Sequence, residues 1–442
     1  MALPRDEKGA KTGPAPTTPG PPEGLLAPSE VPMSPVVAGS FREYAGTLWQ
    51  RIRSGQSGML PIIGGLILIV VIFQVETSKF LTAGDIVNIL AYAAIFVTFG
   101  LAETFALVLS EIDLSISYVG FVGAMIMAEL VSYPNDWSWW AAVIVSLLVC
   151  AVIGLVQGLL ITRLRIPSFV VTLAGLLFFE GFLIYITDID SHAVGGVLSI
   201  STNHVIWGIV NDQMSPVVGW IVYVAVLAVF AAYSLVRDAR RRTSGLSAPP
   251  VSITVATVAG IAVVGALLVW VCNLNRGTAV YVVKGVPYFV LVLIALTLLL
   301  TVLFDRTRFG RYLYAVGGNP EAARRAGINV DAIRTLGFVL CAFTAGIAGI
   351  IYASREGSMG IDVTGGTFTL LGVAAAVIGG TSLFGGRGKP VYAVIGGVIV
   401  AAIYYGLDLL AVSAAGEYMA VAVVLVAAAT VDTLARRRRL AG

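Results

Sequence analysis

Long apolar runs separated by short polar gaps make up most of this chain. Twelve such runs occur at about 59–75, 85–109, 116–132, 139–161, 167–187, 217–235, 251–272, 286–304, 335–353, 367–380, 391–410 and 414–434. A helix needs about 20 mostly apolar residues to cross a bilayer. The pattern therefore predicts an all-α polytopic membrane protein with about 12 (10–12) transmembrane helices. The run at 367–380 is short, which indicates a broken or re-entrant helix covered by neighbouring protein.

The two ends of the chain differ from this apolar body. Residues 1–57 are rich in Pro, Gly, Ala and Thr, and contain no aromatic residue before Phe41. Such a segment cannot bury a core, so we expect a disordered cytoplasmic tail. It also lacks the apolar stretch and cleavage pattern of a signal peptide. The predicted organisation is a tail at 1–57, a transmembrane permease domain at 58–435 and a basic tail at 436–442.

The cationic residues predict the orientation. With the N-terminus inside, 24 of the 28 Lys and Arg residues lie in cytoplasmic gaps or tails. Only Lys79, Arg276, Lys284 and Arg355 lie outside. Cytoplasmic loops carry an excess of Lys and Arg, so this bias supports both the number of spans and cytoplasmic N- and C-termini.

Composition excludes several classes of function. Hydrophobic residues form 58% of the chain and charged residues 12%, whereas a soluble domain has about a quarter charged residues. The net charge of +3 reflects membrane orientation and gives no reason to expect a nucleic-acid partner. The three cysteines and two histidines show no metal-binding spacing and no disulfide framework. We therefore predict no metal, no cofactor and no catalytic residue.

A polar island at 317–328 lies between two apolar runs and predicts a short cytoplasmic helix. Gly317, Gly318 and Asn319 form a turn signal, Pro320 suits the first helical position, and Gly327 marks the end. So short a helix is stable only when packed against something else. Its surface carries Glu321, Ala322, Ala323, Arg324 and Arg325, small and charged residues suited to docking a soluble partner. The alternative is an ordinary connecting loop.

A second cytoplasmic gap, at 379–390, is rich in glycine. Gly379, Gly380, Gly385, Gly386 and Gly388 permit positive φ and close backbone approach. The gap lacks the Gly-Lys-Ser/Thr ending of a phosphate-binding loop, and Pro390 follows its lysine. We interpret it as a tight structural turn beneath closely packed helices, and a nucleotide site is not expected here.

Acidic residues at membrane depth are the remaining candidates for function. Glu103 and Glu180 lie well inside predicted spans, while Asp113 and Ser115 precede the third span and could cap its helix. Because a charge in a bilayer is costly, such residues often mark a pathway. These four are therefore candidates for the translocation pathway, where they could bind sugar hydroxyls or a coupling ion. Simple pairing with neighbouring helices is the structural alternative.

Four segments together resemble the permease subunits of sugar-type ABC importers. Residues 379–388 with 406–410 resemble the C-terminal signature of that family, and residues 111–115 resemble its Gly-Ile-Asp-Leu-Ser motif. Residues 166–175 resemble the start of a later span, particularly in the xylose-type branch. Residues 318–328 resemble the cytoplasmic coupling loop. Glu111 departs from the pattern because it stands where the family usually has glycine.

The resemblance implies a multi-pass subunit of the bacterial plasma membrane with a type II ABC importer fold. A second permease copy would complete a homodimeric pathway, a cytoplasmic ATP-binding subunit would dock on 319–327, and an extracytoplasmic binding protein would deliver sugar. The spans at 217–272 look additional to a ten-span ribose-type core, which favours a pentose such as xylose. The alternatives are an ion-gradient-driven secondary transporter, or an ABC permease for a branched-chain amino acid, a nucleoside or an autoinducer.

Overall fold

The computed structural model describes residues 60–430 apart from 133–134, 190–195, 201–202, 246–248, 279–280, 361–364, 414, 417, 421, 424–425 and 427–429. The predicted tails at 1–57 and 436–442 lie outside these residues, as does much of the predicted span at 414–434. The fold below is that of the described part of the chain.

Fourteen helices and two short strands form the described structure. The helices are α1 (Leu60–Thr77), α2 (Ala83–Val108), α3 (Ile116–Val131), α4 (Trp139–Arg163), α5 (Ser168–Ile189), α6 (His204–Asn211), α7 (Pro216–Thr243), α8 (Val251–Cys272), α9 (Phe289–Arg306), α10 (Arg308–Gly318), α11 (Pro320–Arg325), α12 (Val330–Glu356), α13 (Gly365–Gly379) and α14 (Pro390–Leu409). The strands are β1 (Val197–Ser199) and β2 (Ser358–Gly360).

The predicted all-α membrane architecture is confirmed. Among the described residues, eight helices are long and apolar enough to cross a membrane, namely α2, α4, α5, α7, α8, α9, α12 and α14. Three shorter apolar helices correspond to the predicted spans at 59–75, 116–132 and 367–380. The last of these, α13, has only 15 residues, so it is as short as its apolar run predicted.

Helix α2 forms the centre of the molecule. From Ala93 to Val108 every residue is buried, because α3, α12, α13 and α14 pack around it. An aromatic layer fills the middle of this bundle, where the ring of Phe121 meets those of Phe99 and Phe368 edge to face, 5.7 and 5.6 Å apart between centroids. A helix that is buried on all sides is typical of the core of a large membrane protein.

Small residues allow the central helices to approach closely. A side chain at Gly120 on α3 would collide with the carbonyl group of Ala345 on α12, and one at Gly349 would collide with the backbone of Gly120. Helices in lipid gain little from the hydrophobic effect, so close van der Waals packing through small residues replaces it. Helices α3 and α12 therefore cross closely at these two glycines.

Helices α7 and α8 form a peripheral pair. They contact each other along their length, and only 11% of the apolar window of each is buried, against 67% for α2. Their outer faces carry apolar side chains that suit lipid. This pair corresponds to the two spans that looked additional to a ten-span core.

The opposite end from α10 and α11 contains structure that the apolar pattern did not predict. Strands β1 and β2 pair antiparallel, with Leu198 opposite Met359. The short helix α6 lies beside them, and the side-chain amide of Asn211 donates to the Ser354 carbonyl on α12 at 2.6 Å. The segment between the predicted spans at 167–187 and 217–235 is thus partly folded onto the end of α12.

Candidate functional site

Helix α11 forms as the island at 317–328 predicts, with one correction at its start. Gly317 and Gly318 end α10, so the turn is reduced to Asn319 alone. The Asn319 side chain accepts a hydrogen bond from the backbone N–H of Ala322 at 2.9 Å, and Pro320 occupies the first turn. Gly327, with φ of +81°, reverses the chain towards α12. Asn319 and Gly327 thus fix the two ends of this six-residue helix.

The two faces of α11 differ. Glu321 pairs with Arg324 at 3.2 Å and with Arg325 at 3.4 Å, and all three side chains are at least 60% exposed. Ala322 is exposed as well, whereas Ala323 is only 4% exposed and packs into the protein. The surface open to a partner therefore consists of Glu321, Ala322, Arg324 and Arg325, and Ala323 anchors the helix.

Helix α10 connects this surface to the core. Its inner face buries Leu313 and Val316, while its first turn is capped by the Thr307 hydroxyl, which accepts from the Gly310 N–H at 3.1 Å. The hydroxyl of Tyr314 donates to the carbonyl of Gly388 in the glycine-rich turn at 2.6 Å. Burial, and the negative charge of Asp305, raise the pKa of Tyr314 well above its usual range, so this donor keeps its proton.

The glycine-rich turn, the end of α2 and the end of α10 meet at one point, which we call the junction (residues 108–110, 317–318 and 384–386). The Ser110 hydroxyl lies 2.9 Å from the carbonyl oxygens of Gly317 and Phe384. The N–H of Gly386 donates to the Val108 carbonyl at 2.8 Å. Gly385 and Gly386 have φ of +77° and +68°, a conformation that glycine adopts without strain. Three segments far apart in sequence thus form one hydrogen-bonded unit.

Glu111, which departs from the family motif, has a clear structural role. One carboxylate oxygen pairs with Arg334 at the start of α12 at 2.8 Å, and the other accepts from the hydroxyl of Ser168 at the start of α5. The side chain of Glu111 is 11% exposed and that of Arg334 is 30% exposed. Glu111 therefore ties the segment after α2 to the starts of two other helices.

The structure brings together three of the four predicted pathway residues. The N–H of Asp113 donates to Glu103 Oε1 at 3.3 Å, and Ser115 donates to the Asp113 carboxylate through its N–H at 2.9 Å and its hydroxyl at 2.7 Å. The Gln157 amide donates to the Ser115 hydroxyl at 2.7 Å. The side chain of Ser115 makes no capping bond to α3, so the predicted cap is replaced by this cluster. All are buried, hence the cluster opens to neither side in this conformation.

Glu180 lies apart from that cluster. It is half-buried on α5, and its carboxylate lies near the hydroxyl of Tyr118 at the start of α3. Its position links the peripheral helix α5 to α3, which packs against the centre of the bundle.

A polar and aromatic cluster lies at the end of the bundle opposite the junction, and it was not predicted from the sequence. Arg355 donates to Asn88 Oδ1 at 3.2 Å, Asn88 Nδ2 donates to the Tyr405 hydroxyl at 3.2 Å, and that hydroxyl donates to Asp85 at 2.6 Å. The Arg355 guanidinium also lies over the ring of Tyr92, 5.3 Å from its centroid. We call these five residues the outer cluster. One signal for it was present, because Arg355 is one of the four cationic residues on the predicted outside.

Comparison with known proteins decides the family. Residues 85–429 match the family described as "branched-chain amino acid transport system / permease component". This chain is a member of that family. The permease is 31% identical to the xylose transport system permease protein of Escherichia coli (strain K12), over 93% of its own length and 98% of the relative.

Other similar proteins are also sugar permeases. The D-allose transport system permease protein of Escherichia coli (strain K12) is 27% identical over 84% of this permease and 90% of its own chain. The ribose import permease protein of the same organism is 26% identical over 83% and 91%. No solved structure matches.

Membership confirms the resemblance to sugar ABC importer permeases. The chain is a non-catalytic transport subunit and a multi-pass protein of the bacterial inner membrane. Permease subunits of this kind work with an ATPase and a binding protein. An ion gradient as the energy source, which the sequence left open, has no support from this family.

Proposed function

We propose that this chain is the membrane subunit of an ATP-driven importer for a pentose, with xylose as the leading candidate. The similarity to the xylose permease supports this substrate, because it extends over nearly the whole of both chains. The identity to that relative is 31%, against 27% for the allose relative. The two additional helices α7 and α8 lie within that shared length.

The observation that carries the mechanism is the junction. An ATPase subunit docked on the exposed face of α11 would push on α10, which continues into Gly317 and Gly318 at the junction. From there, hydrogen bonds lead to Val108 at the end of α2 and to the glycine-rich turn before α14. Movement at α11 would thus reach the central helix directly, as coupling requires.

Alternating access needs two arrangements of the same helices with different contacts to ATPase and substrate. The small-residue crossings around α2 and α12 allow sliding without large side chains in the way. The buried Glu103, Asp113 and Ser115 cluster lies between these helices, with Glu103 Oε2 lacking a hydrogen-bond partner among the described residues. We assign this cluster, with Glu180, to the wall that the sugar meets when the helices separate.

The outer cluster is suited to receiving a sugar from the binding protein. Small-molecule sites combine aromatic side chains with a few polar groups that fix the orientation of the ligand, and Tyr92 together with Asp85, Asn88 and Arg355 provides both. Arg355 Nε also lacks a partner within the described residues. A second copy of this permease would face the first across the pathway and form a homodimer.

Reconstitution tests the proposal. Liposomes holding the permease and its ATPase, with the binding protein outside, should hydrolyse ATP faster when xylose is added. Ribose, allose and fructose are the sugar controls, and a branched-chain amino acid, a nucleoside and an autoinducer test the other solute classes. Stimulation by one of these three and by no sugar would reject the sugar assignment. Stimulation by a hexose alone would reject only the pentose.

A further inference from the structure

Helix α7 carries three of its four arginines on one face, beyond its apolar stretch. The helix has 28 residues and is about 42 Å long at about 1.5 Å per residue, longer than the hydrocarbon layer of about 30 Å. Arg237, Arg240 and Arg241 follow the i, i+3, i+4 spacing that puts side chains side by side. Tyr233 and Val236 lie one turn nearer the membrane. The face therefore changes from apolar to basic at the interface.

A cleft of about 490 Å³ opens along this face. Arg306, at the end of α9, forms its opposite side and donates a hydrogen bond to the hydroxyl of Tyr233. The guanidinium groups of Arg237 and Arg306 both lie 6.0 Å from the centroid of the Tyr233 ring. The base of the cleft is apolar, formed by Ala232 and Val236.

The positive charges of this cleft are only partly balanced. Arg237 pairs with Asp238 at 2.9 Å, and the second Asp238 oxygen accepts from the Thr254 hydroxyl on α8 at 2.7 Å. Within the part of the chain that the structure describes, neither Arg240 nor Arg241 has an ion-pair partner. The four arginines and one aspartate leave an excess of three positive charges around one opening.

We propose that this cleft binds an anionic phospholipid, with the headgroup phosphate between Arg240, Arg241 and Arg306. One acyl chain would lie along Ala232 and Val236 and continue on the exposed apolar face of α7. The position of the cleft at the membrane surface favours a lipid over a soluble anion, because its apolar base would gain nothing from free phosphate. Basic pockets between transmembrane helices on the cytoplasmic side are known to select such headgroups.

This lipid would join the peripheral pair to the coupling apparatus. Arg306 is the last residue of α9, and α10 begins two residues later at Arg308. A headgroup bridging α7 and α9 would therefore hold the start of α10 in place. The site is independent of the identity of the transported sugar.

The test uses nanodiscs made from equal amounts of dioleoylphosphatidylglycerol and dioleoylphosphatidylcholine. Native mass spectrometry of the released permease should show retained phosphatidylglycerol. The double variant Arg240→Gln with Arg241→Gln should weaken the binding of phosphatidylglycerol about 25-fold. Each arginine near an anionic lipid contributes about fivefold, and the two factors multiply. Arg163→Gln with Arg165→Gln, which removes two cytoplasmic arginines outside the cleft, should leave retention unchanged. Val236→Trp should also reduce retention by narrowing the base while all charges remain.

Several results would overturn the site. Equal retention of phosphatidylcholine and phosphatidylglycerol would show that the cleft does not select anionic lipid. Equal loss of phosphatidylglycerol in the two double variants would show that the cleft arginines act only through the general cytoplasmic positive charge. Displacement of the lipid by millimolar inorganic phosphate would identify a soluble anion as the ligand. If the Arg240 and Arg241 double variant keeps its lipid but loses the co-purifying ATPase, the cleft is a protein contact.

Discussion

At the scale of single residues, the pair formed by Glu111 and Arg334 is the clearest case of a charge explained by its surroundings. Each side chain is mostly buried, so removing one partner leaves the other charge poorly solvated. We predict that Glu111→Gln and Arg334→Gln each lower the apparent unfolding temperature in detergent. The double variant should lose less than the sum, with a coupling energy of about 0.5–3 kcal/mol. Strict additivity would contradict a direct pair.

Glu180 allows a second prediction at this scale. The Tyr118 hydroxyl lies near its carboxylate, and the side-chain carbonyl oxygen of glutamine can accept from that hydroxyl as a carboxylate can. Glu180→Gln should therefore retain a substantial part of sugar uptake. The matched variant Tyr118→Phe, which removes the donor, should reduce uptake at least as much. Complete loss in Glu180→Gln with normal uptake in Tyr118→Phe would show that the negative charge itself is required.

The chemistry of individual residues was only partly predictable. The sequence identified Glu103 and Asp113 as costly acids, yet Gln157 joins their cluster from α4, a partner that no local pattern indicates. Arg334 likewise reaches Glu111 across more than 200 residues. Such partners are set by how helices cross, and hydropathy carries no information about crossing.

At the scale of elements, α11 yields the sharpest experiment. The sequence placed Ala322 and Ala323 together on the docking face, but successive helical residues are rotated by about 100°, and the structure buries Ala323. Ala322→Asp should therefore insert and melt normally while losing the co-purifying ATPase, because a repelled interface anchor costs about 2–4 kcal/mol. Ala323→Asp should instead lower the melting temperature.

Each of these two alanine variants serves as the control for the other. Normal ATPase co-purification and uptake with Ala322→Asp would show that the partner does not dock on this face. A melting temperature unchanged by Ala323→Asp would contradict the burial of that residue.

Helices were predictable where a long apolar run in the sequence defines them. The bounds of α2 (83–108), α8 (251–272) and α14 (390–409) fall within three residues of the apolar runs. The strands β1 and β2 were not predicted, because three-residue strands paired across the chain leave no local period. The end of α10 was predicted as a turn because Gly317 and Gly318 favour turns by propensity, but both residues end the helix at the junction.

At the scale of the whole molecule, the charge asymmetry predicts the topology. A cysteine label at Ser244, after the basic end of α7, should be reached only from the cytoplasm. A label at Ser199, on β1, should be reached only from outside. The reason is the distribution of 24 and four cationic residues between the two sides. Labelling of both positions from one side would be incompatible with the predicted number of crossings between them.

The energy source is the central claim for the molecule as a whole. Its most direct test is uptake of labelled xylose into liposomes that hold the permease and its ATPase, with the binding protein outside and ATP enclosed. Uptake should follow enclosed ATP and should persist when ionophores collapse the proton and sodium gradients. Loss of uptake on adding an ionophore, while ATP stays high, would contradict ATP-driven import through α11 and the junction.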